Sequence, residues 1–449
     1  MSEAGRGRAI VIGASIGGLL AARALADAFA EVVVLDRDVL DDAAEYRRGV
    51  PQGRHTHVVL VSGCRALEAL LPGICAELSA AGAIGGDVGT DVSWFIEGAR
   101  LCRVAGGLEG LGMSRALLER TVRSRVRALP NVCVRDTANV DGLTVTNGNQ
   151  HVTGVALGAQ TLDAALVVDA TGRGSRTPGW LATLGYEEPR SETVGIELRY
   201  TTRRFRRRPG QLGGLNAVVV PPTPKNKRGG VIVAQEDDCW TVTLMTHFAD
   251  YPAPELDAFI EFTRTLPIPD IYDVVRNAEP VGDAQTIRMP ASMRRRYEQL
   301  KAFPAGYLVF GDALSSFNPI YGQGMSVAAL EAVALQAVLR YGTPDFTHRF
   351  FREAANIIDT AWSISAGNDL RMPEATGRRS AVVRLTNWYV PKLLRASHHD
   401  PELARAFLNV SNLMADPLSL MRPNVLAAVA RAALRRPMSR TVRDTSAGG

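Results

Sequence analysis

The chain has 449 residues, 46% of them hydrophobic, and a formal net charge of +5. This length and apolar content predict a globular protein whose large core is divided among about two or three domains. No apolar run approaches the roughly 20 residues of a membrane-spanning helix, and no hydrophobic signal core precedes the first strand, so we expect a cytoplasmic protein without membrane insertion. The five cysteines lie far apart without metal-ligand spacing, which predicts buried thiols and no metal site.

A βαβ unit is predicted near the N-terminus, where the chain reads AIVIGASIGGLLAARALADAFAEVVVLDRD. Gly13 supplies the tight turn after the first strand, Gly17 opens the helix, and Gly18 allows the helix to approach the sheet. Asp36 ends the second strand 23 positions after Gly13, near the offset of about 20 at which an acid accepts from a ribose hydroxyl. Ser15 replaces the middle glycine of GxGxxG and is small enough to admit a pyrophosphate. The unit therefore predicts a dinucleotide site.

A second candidate for phosphate binding stands at the start of the predicted helix MSRALLERTVRSRVRALP. Ser114 is in the position of an N-cap and Pro130 closes the segment, so Arg115 falls in the first turn. There Arg115 reaches a phosphate or ribityl oxygen or, in the alternative, is an ordinary surface arginine. A predicted buried strand at 166–168 then runs into the loop 169–172, which we expect to face the same ligand.

The sequence GDALSSFNPIYGQGMS at 311–326 is the most informative motif of the chain. The apolar run 307–310 predicts a buried strand before it, and MSVAALEAVALQAVL predicts a helix after it. Asp312 therefore falls at a strand's carboxyl end, and Gly322 and Gly324 at a helix N-terminus. There an acid binds ribityl hydroxyls, and unpaired backbone N–H groups favour negative charge at the pyrimidine edge of a reduced flavin. A turn that serves packing alone is the alternative, and the N-terminal βαβ unit weighs against it.

Long alternating strands from about residue 180 to 289 predict a mostly antiparallel sheet on the substrate side, with one amphipathic helix, APELDAFIEFTRTL. The arginine-rich window 199–208 and the run 294–296 are interpreted as a solvated strand edge or loop. A nucleic-acid site is disfavoured because base-stacking aromatic residues are absent from the window apart from Phe205.

The C-terminal part of the chain has a helical pattern after Pro373. One helix is predicted to be capped by Asp400 and Pro401, and a second to follow Pro423. Residues 443–449 are expected to be disordered.

The order of these motifs resembles the flavoprotein monooxygenases of the p-hydroxybenzoate hydroxylase fold. The resemblance rests on GxSxGG, Asp36, RRGVPQGRHTH at 47–57, SR at 114–115, DATGRGS at 169–175 and GDALSSFNPIYGQGMS. More closely, the loop at 47–57, the loop at 169–175 and the FNPIYGQGMS segment resemble the actinomycete polyether epoxidases of the monensin and lasalocid type. The resemblance covers roughly residues 8 to 375 and is specific for FAD, less specific for oxygenation and not specific for substrate.

The resemblance implies an α/β fold, in which a Rossmann-like FAD-binding domain of the glutathione-reductase type carries an inserted, mostly antiparallel substrate domain and a C-terminal helical segment. The FAD-binding domain is expected over 1–90, 111–178 and 289–375. Strands of the substrate domain are expected over 91–110 and 179–288, and C-terminal helices over 376–449.

The same resemblance assigns residues to the cofactor. Those implied to bind FAD are Gly13, Ser15, Gly17, Gly18, Asp36, Arg37, Arg48, Gln52, Arg54, Arg115, Gly172, Asp312, Pro319, Gly322, Gln323, Gly324 and Met325. Pro319, Gly322 and Gly324 are the catalytic candidates because they position the flavin, and no protein acid or base is assigned. His55 and His57 are interpreted as structural or loop-contact histidines in preference to catalytic or covalent-flavin residues.

The implied activity is that of an FAD-dependent monooxygenase with O2 as co-substrate. It would epoxidise an alkene of a polyketide or terpenoid natural-product intermediate through a flavin C4a-hydroperoxide. The chain departs from the pattern of the family at one position that bears on the source of electrons. Single-component aromatic hydroxylases carry an Asp-Gly pair where this chain has Thr171 and Gly172. Thr171 lacks that charge, and no second GxGxxG follows a strand, so a separate flavin reductase is favoured over direct use of NAD(P)H.

Several alternatives stay open. An aromatic hydroxylase of the same fold is the first, although the lack of an evident triad, carboxylate pair or metal cluster slightly favours an alkene. A halogenase is disfavoured because residues 362–365, WSIS, do not match WxWxIP. An FAD-dependent dehydrogenase or alkene reductase, and a non-redox FAD-bound cyclase, complete the set, and all act on a small apolar, polyene or aromatic molecule without nucleic acid.

Overall fold

The structure, a computed structural model, describes residues 6–41, 47, 49, 51–146, 148–342 and 345–434, with the backbone alone at 6, 51 and 52. Arg48 and the C-terminal segment 443–449, whose disorder is predicted, lie outside the described residues. In the described part, the strands in chain order are β1 (Arg6–Ile12), β2 (Phe29–Leu35), β3 (Val58–Val59), β4 (Ile84–Asp87), β5 (Val92–Ile96), β6 (Ala99–Arg100), β7 (Glu109–Gly112), β8 (Val132–Arg135), β9 (Gly142–Thr146), β10 (His151–Leu157), β11 (Gln160–Asp163), β12 (Leu166–Asp169), β13 (Ser191–Arg206), β14 (Ala217–Val220), β15 (Arg228–Gln235), β16 (Cys239–His247), β17 (Pro280–Arg295), β18 (Tyr307–Val309) and β19 (Ser315–Ser316).

Helices cover the sheets and form the C-terminal end. In the same described residues they are α1 (Ile16–Ala26), α2 (Val61–Leu70), α3 (Ile74–Ala80), α4 (Arg115–Arg127), α5 (Thr177–Leu184), α6 (Leu256–Arg264), α7 (Asp270–Val275), α8 (Gly324–Tyr341), α9 (Phe346–Asp369), α10 (Ala381–Ala396), α11 (Pro401–Ser411) and α12 (Pro423–Leu434). No helix in the described ranges is long and apolar enough to cross a membrane.

A parallel five-stranded sheet, in the order β18-β12-β1-β2-β8, forms the first layer. The central strands are almost wholly apolar because both of their faces are buried. Helix α1 packs against β1 and β2 and in turn against α8, and β10 of a separate three-stranded sheet packs against β12. The register places Ile12 opposite both Leu35 and Asp169, and Asp169 opposite Val309. The loops that follow β1, β2, β12 and β18 therefore leave the sheet at one level.

A mostly antiparallel sheet of eight strands, in the order β19-β17-β13-β16-β15-β14-β5-β6, forms the second layer. The side chains of β16 alternate between its two faces, as expected for a strand with period two. Trp240 and Leu244 pack with Phe259 of α6, whereas Thr243 and Met245 line a cavity on the opposite face. The sheet thus presents one buried face to helices and one face to the site.

The two predicted helix N-caps are present. The Ser114 hydroxyl accepts from the N–H of Leu117 at 3.1 Å, and the Asp400 carboxylate accepts from Leu403 at 3.2 Å. The amphipathic helix predicted for APELDAFIEFTRTL is confirmed as α6. The division into segments at 90, 110, 178, 288 and 375 stays a prediction.

The arginine clusters do not lie where the sequence places them. The window 199–208 falls largely on β13, which lies between β17 and β16, so the expected strand edge is wrong. Arg203 donates to the carbonyl of Pro254 at 2.7 Å and so holds a loop. Arg294 and Arg295 are only 1% and 9% exposed, so the expectation of solvated arginines is wrong there as well.

The thiols also differ in part from expectation. Cys64 and Cys239 are buried, whereas Cys133 is exposed because it lies on β8, the last strand of the parallel sheet. No group of metal-ligating side chains occurs in the described residues.

Gly18→Ala is expected to destabilise the parallel sheet by about 3 kcal/mol. A Cβ atom at Gly18 would lie 1.8 Å from the carbonyl oxygen of Gly13, and this backbone atom has no room to move. Gly17→Ala is the matched control, because its Cβ would meet the Phe310 ring at an ordinary 3.9 Å. Thermal unfolding followed by circular dichroism measures both variants, and equal melting temperatures would contradict the close approach of helix and strand.

Candidate functional site

A cavity of about 1790 Å³ extends from the carboxyl end of the parallel sheet across the face of the second sheet. The loops after β1, β2, β12 and β18 bring Gly13, Asp36, Thr171 and Asp312 to its wall. These are segments that lie far apart in the chain. Their convergence follows from the parallel register, which ends the four strands at one edge.

The first polar group of the cavity lies at the N-terminus of α1. Ser15 occupies the N-cap position without a side-chain capping bond, and its hydroxyl instead accepts from Nη2 of Arg115 at 2.7 Å. The Nε of Arg115 donates to Glu119 at 3.2 Å, which fixes the guanidinium on α4. A guanidinium beside the open N–H groups of a helix N-terminus forms an anion-binding site.

The Asp36 carboxylate is held by several donors. It accepts from the N–H of Ala14 at 2.6 Å, from the N–H of Asp38 at 2.9 Å and from Arg47 at 2.8 Å. Burial lowers the pKa of the Arg47 guanidinium, but the charges of Glu119 and Asp36 outweigh this effect and raise it above its usual value. Asp36 therefore stabilises the βαβ turn, and its bond to a ribose hydroxyl stays a prediction.

The loop after β12 is organised by Asp169, which is wholly buried. Its carboxylate accepts from the N–H of Thr171 at 2.9 Å, from the Thr171 hydroxyl at 2.5 Å and from the Ser175 hydroxyl at 2.5 Å. Thr171 is thus bonded back to its own loop. Gly172 has a φ of +77°, and this left-handed conformation turns the loop toward Asp312.

Arg295 ties the loop after β12 to the loop after β18. Its guanidinium donates to the carbonyl of Ala313 at 2.8 Å and to the carbonyl of Arg173 at 3.0 Å. Sequence reasoning missed this role. The available signal was a run of arginines at the end of a long strand, two elements before the segment 311–326.

Two acids lie at the base of this motif. Asp312 projects into the cavity and its side chain is accessible there, and desolvation by the surrounding protein raises its pKa, while the positive charges of Arg115 and Arg173 oppose the shift. Glu331 of α8 is wholly buried and accepts from the N–H of Gly311 at 2.8 Å. Burial raises the pKa of Glu331 to about 8, and the nearby charge of Asp312 adds to the shift.

Asp369 at the end of α9 holds the segment before α8 through hydrogen bonds. The Asp369 carboxylate accepts from Asn318 at 2.9 Å and from the Tyr321 hydroxyl at 2.9 Å, and Tyr321 accepts from Asn368 at 2.7 Å. Burial raises the pKa of Asp369 to about 7, against the effect of these hydrogen bonds. Gly322 has a φ of +64°, and a Cβ there would lie 2.5 Å from Val58.

Gln323 is a buried polar side chain of this wall for which the described residues supply no partner. It is 1% exposed and lines the cavity, yet neither its amide oxygen nor its amide nitrogen has a hydrogen-bond partner in the described residues. A buried amide left unpaired costs about 1–3 kcal/mol, so a bound molecule that supplies a donor and an acceptor here would be stabilised. The polar edge of an isoalloxazine ring, with its carbonyls and N–H, has the donors and acceptors that this amide needs.

The two histidines lie on the cavity wall beside the second sheet. His55 bonds through Nδ1 to the hydroxyl of Thr202 at 2.8 Å, and His57 donates from Nδ1 to the carbonyl of His55 at 2.9 Å. Burial and the charge of Arg54 lower the pKa of His55 to about 4, and burial with the charge of Arg115 lowers that of His57 to about 3. Both imidazoles are therefore neutral near pH 7.

Most of the residues predicted from the sequence lie along this one wall. The described ones that line the cavity are Gly13, Ser15, Gly17, Asp36, Arg37, Arg115, Gly172, Asp312, Pro319, Gly322, Gln323, Gly324 and Met325.

The other predicted residues lie elsewhere. Gly18 faces Gly13 inside the βαβ unit, and Arg54 is exposed and donates to Gln285 at 3.0 Å, so neither lines the cavity. Arg54 departs from expectation because its partner comes from β17 of the second sheet. Arg48 and the side chain of Gln52 lie outside the described residues.

No family model matches the chain, but solved structures share its fold. The flavin-dependent brominase Bmp2 superposes with a TM-score of 0.66 and 14% identity, covering 95% of this chain and 97% of that chain. The p-nitrophenol 4-monooxygenase PnpA of Pseudomonas putida DLL-E4 gives 0.63 and 16%, covering 91% and 99%. The Diels-Alderase PyrE3 of pyrroindomycin biosynthesis gives 0.62 and 17%, covering 91% and 80%.

The chain thus has the fold of the flavin-dependent monooxygenases related to p-hydroxybenzoate hydroxylase, and the predicted fold class is confirmed. It is 32% identical over 437 residues to Protein Rv3254 of Mycobacterium tuberculosis, which covers 90% of this chain and 89% of the relative. The chain belongs to the same family as Protein Rv3254.

Glu331→Gln is expected to change how stability depends on pH. With a pKa of about 8 when folded and 4.5 as its ordinary value, Glu331 contributes stability that is complete below pH 4.5 and lost as the pH rises through 8. Glutamine still accepts from Gly311 and does not titrate, so the variant should gain stability over the unmodified chain at high pH, by up to ~1.4 kcal/mol per pH unit within this window.

Thermal unfolding at about pH 5 and about pH 9 measures this difference. Glu353→Gln on the exposed side of α9 is the matched control and should shift the melting temperature equally at both values. An equal shift of the melting temperature at both pH values for Glu331→Gln would contradict a protonated Glu331 carboxyl beside Gly311.

Proposed function

We propose that the protein is an FAD-dependent monooxygenase that oxygenates a small apolar molecule. The observation that carries the proposal is the unpaired, buried amide of Gln323 on the same cavity wall as the Ser15–Arg115 pair and Asp312. A helix N-terminus with an arginine suits a pyrophosphate, an acid at a strand end suits a ribityl chain, and a buried amide suits a flavin ring. FAD carries these three parts in this order.

Each part of FAD has residues of this chain to hold it. Ser15 and Arg115 would bind the pyrophosphate, Asp36 and Arg37 would lie at the adenosine, and Asp312 would bind the ribityl chain. The flavin ring would contact Pro319, Gly322 and Gln323, with Gly172, Gly324 and Met325 beside it. The N-terminus of α8 would favour negative charge on the pyrimidine side of the ring.

Reduced FAD, when bound, activates O2 and supplies an electrophilic oxygen atom. The protein's contribution is to bind the substrate against the flavin and to exclude water. The part of the cavity wall that the second sheet forms is mainly apolar, with Val219, Val231, Met245, Ile287 and Met289 among its residues, and Ile320 adds to it. This wall suits an extended hydrocarbon such as a polyketide or terpenoid intermediate.

The titratable groups of the wall favour an alkene over a phenol. Hydroxylation of a phenol benefits from a group that polarises its hydroxyl, whereas an alkene needs only contact with the electrophilic oxygen. His55 and His57 accept protons poorly because their pKa values are lowered to about 4 and about 3, and burial raises the pKa of the Tyr200 hydroxyl. Epoxidation, as in the polyether enzymes that the motifs resemble, is therefore the proposed reaction, and aromatic hydroxylation is the alternative.

The proposed electron donor is a separate flavin reductase. The Thr171 hydroxyl is bonded to Asp169, so this loop offers no charge to a nicotinamide at the position where the hydroxylases carry aspartate. A second candidate function is that of a cyclase with FAD as a structural group, because the Diels-Alderase PyrE3 has the same fold over 91% of this chain. A cyclase would form its product without O2.

Arg115→Ala should weaken FAD binding by about 10- to 100-fold, because a charge-assisted bond to a phosphate is worth ~1.5–3 kcal/mol. The measurement is titration of the flavin-free protein with FAD, followed by quenching of flavin fluorescence. Arg120→Ala on the exposed side of the same helix is the matched control and should bind FAD as the unmodified chain does. Equal affinities of the two variants for FAD would contradict the placement of the pyrophosphate beside Arg115.

An anaerobic experiment tests the reaction and the reductant together. The flavin-loaded protein is mixed with NADPH alone, NADH alone, a flavin reductase with NADH, or dithionite, and then ¹⁸O2 and an apolar polyene are admitted. We expect slow bleaching by either nicotinamide alone, fast bleaching with the reductase, and a product that gains one ¹⁸O atom. Fast bleaching by NADPH alone would contradict the proposal of a separate flavin reductase. An unlabelled cyclised product formed without O2 would contradict monooxygenase activity and support the cyclase.

A further inference from the structure

Exposed apolar side chains gather on the C-terminal helices. On α10, Val382, Leu385 and Trp388 are 71%, 54% and 63% exposed, and their spacing of three places them on one side of the helix. Leu418, in the short turn Pro417–Met421, is 74% exposed. Such side chains are scattered singly on most soluble surfaces, so a group of this kind indicates a contact surface.

The same segment is strongly basic. Residues 375–399 contain no aspartate or glutamate, and their basic residues are Arg378, Arg379, Arg384, Lys392 and Arg395. Residues 376–449 hold twelve arginines and lysines against four acids, a net charge of +8, whereas the whole chain carries only +5. The positive charge of the protein is therefore concentrated at this end.

Basic and apolar groups share one face of α10. Arg384 and Arg395 are exposed, the ammonium of Lys392 lies over the Trp388 ring, and Arg378 is exposed just before the helix. Long basic side chains beside exposed apolar ones suit a boundary between water and hydrocarbon, where the cation stays in water and the apolar group leaves it.

The surface also borders the cavity. Val382 and Leu418 are exposed and at the same time line the cavity, and Val383, Val390 and Leu420 continue its wall inward. Apolar side chains of α10 and of the turn Pro417–Met421 therefore extend from the outer surface into the cavity wall.

We propose that the surface formed by Val382, Leu385, Trp388, Leu418 and the basic residues of α10 docks the protein onto an anionic phospholipid membrane. Apolar side chains would enter the interface while arginines and lysine contact lipid phosphates. A second copy of the chain suits the surface less, because a two-fold contact would set the same basic residues against each other. Docking goes beyond the proposed monooxygenase function and does not depend on it.

Vesicle co-sedimentation of the full-length protein tests this surface. The protein should bind vesicles of phosphatidylcholine that contain phosphatidylglycerol and should not bind vesicles of pure phosphatidylcholine. High salt should release it from the anionic vesicles. Leu385→Ser/Trp388→Ser should lower binding at least about tenfold. Arg384→Glu/Arg395→Glu should lower it at least about fivefold for each arginine replaced.

Tyr341→Ser is the matched control, because Tyr341 is 70% exposed at the end of α8 and belongs to no such group. It should bind vesicles as the unmodified chain does, and flavin content and melting temperature should agree among all variants. Absent binding, equal binding to the neutral vesicles, or equal losses in the Tyr341 and α10 variants would each overturn the proposal. A dimer in light scattering that Leu385→Ser/Trp388→Ser converts to a monomer, without lipid binding, would assign the surface to a second copy instead.

Discussion

The register of the parallel sheet is the constraint on which the site depends. Ile12 lies opposite Leu35 and Asp169, and Asp169 lies opposite Val309, so four strands end at one level. These strands are buried on both faces, and a shift of one residue would turn each side chain to the opposite face and draw a residue of a polar loop into the sheet. The loops that carry the candidate cofactor residues inherit their positions from this register.

Buried polar side chains then fix the loops to one another. Arg295 donates to carbonyls of two loops, and Asp169 accepts hydrogen bonds from donors of its own loop. Glu331 accepts from the N–H of Gly311. Buried polar groups are stable only when their hydrogen bonds are satisfied, so these contacts specify a single arrangement of the wall. Against this background the unpaired amide of Gln323 stands out as a group that a ligand would satisfy.

The cavity has a polar end and an apolar end. The polar end lies at the parallel sheet and carries the residues proposed to bind FAD, whereas the apolar end follows the second sheet toward the C-terminal helices. This separation suits a reaction in which the cofactor supplies the chemistry and the substrate is bound by shape and burial. The C-terminal helices therefore belong to the site as well as to the outer surface.

Features set by neighbouring residues were predictable from the sequence. The turn at Gly13, the cap at Ser114 and the strand before Asp312 follow from local conformation and periodicity, and the shared fold confirms the predicted class. Arg295 and Arg54 were misplaced, because their partners come from other elements: Arg295 binds carbonyls 18 and 122 positions away, and Arg54 binds a side chain 231 positions away. An arginine's sequence surroundings cannot distinguish solvent from a carbonyl brought to it by folding, since that contact exists only after the two sheets have packed.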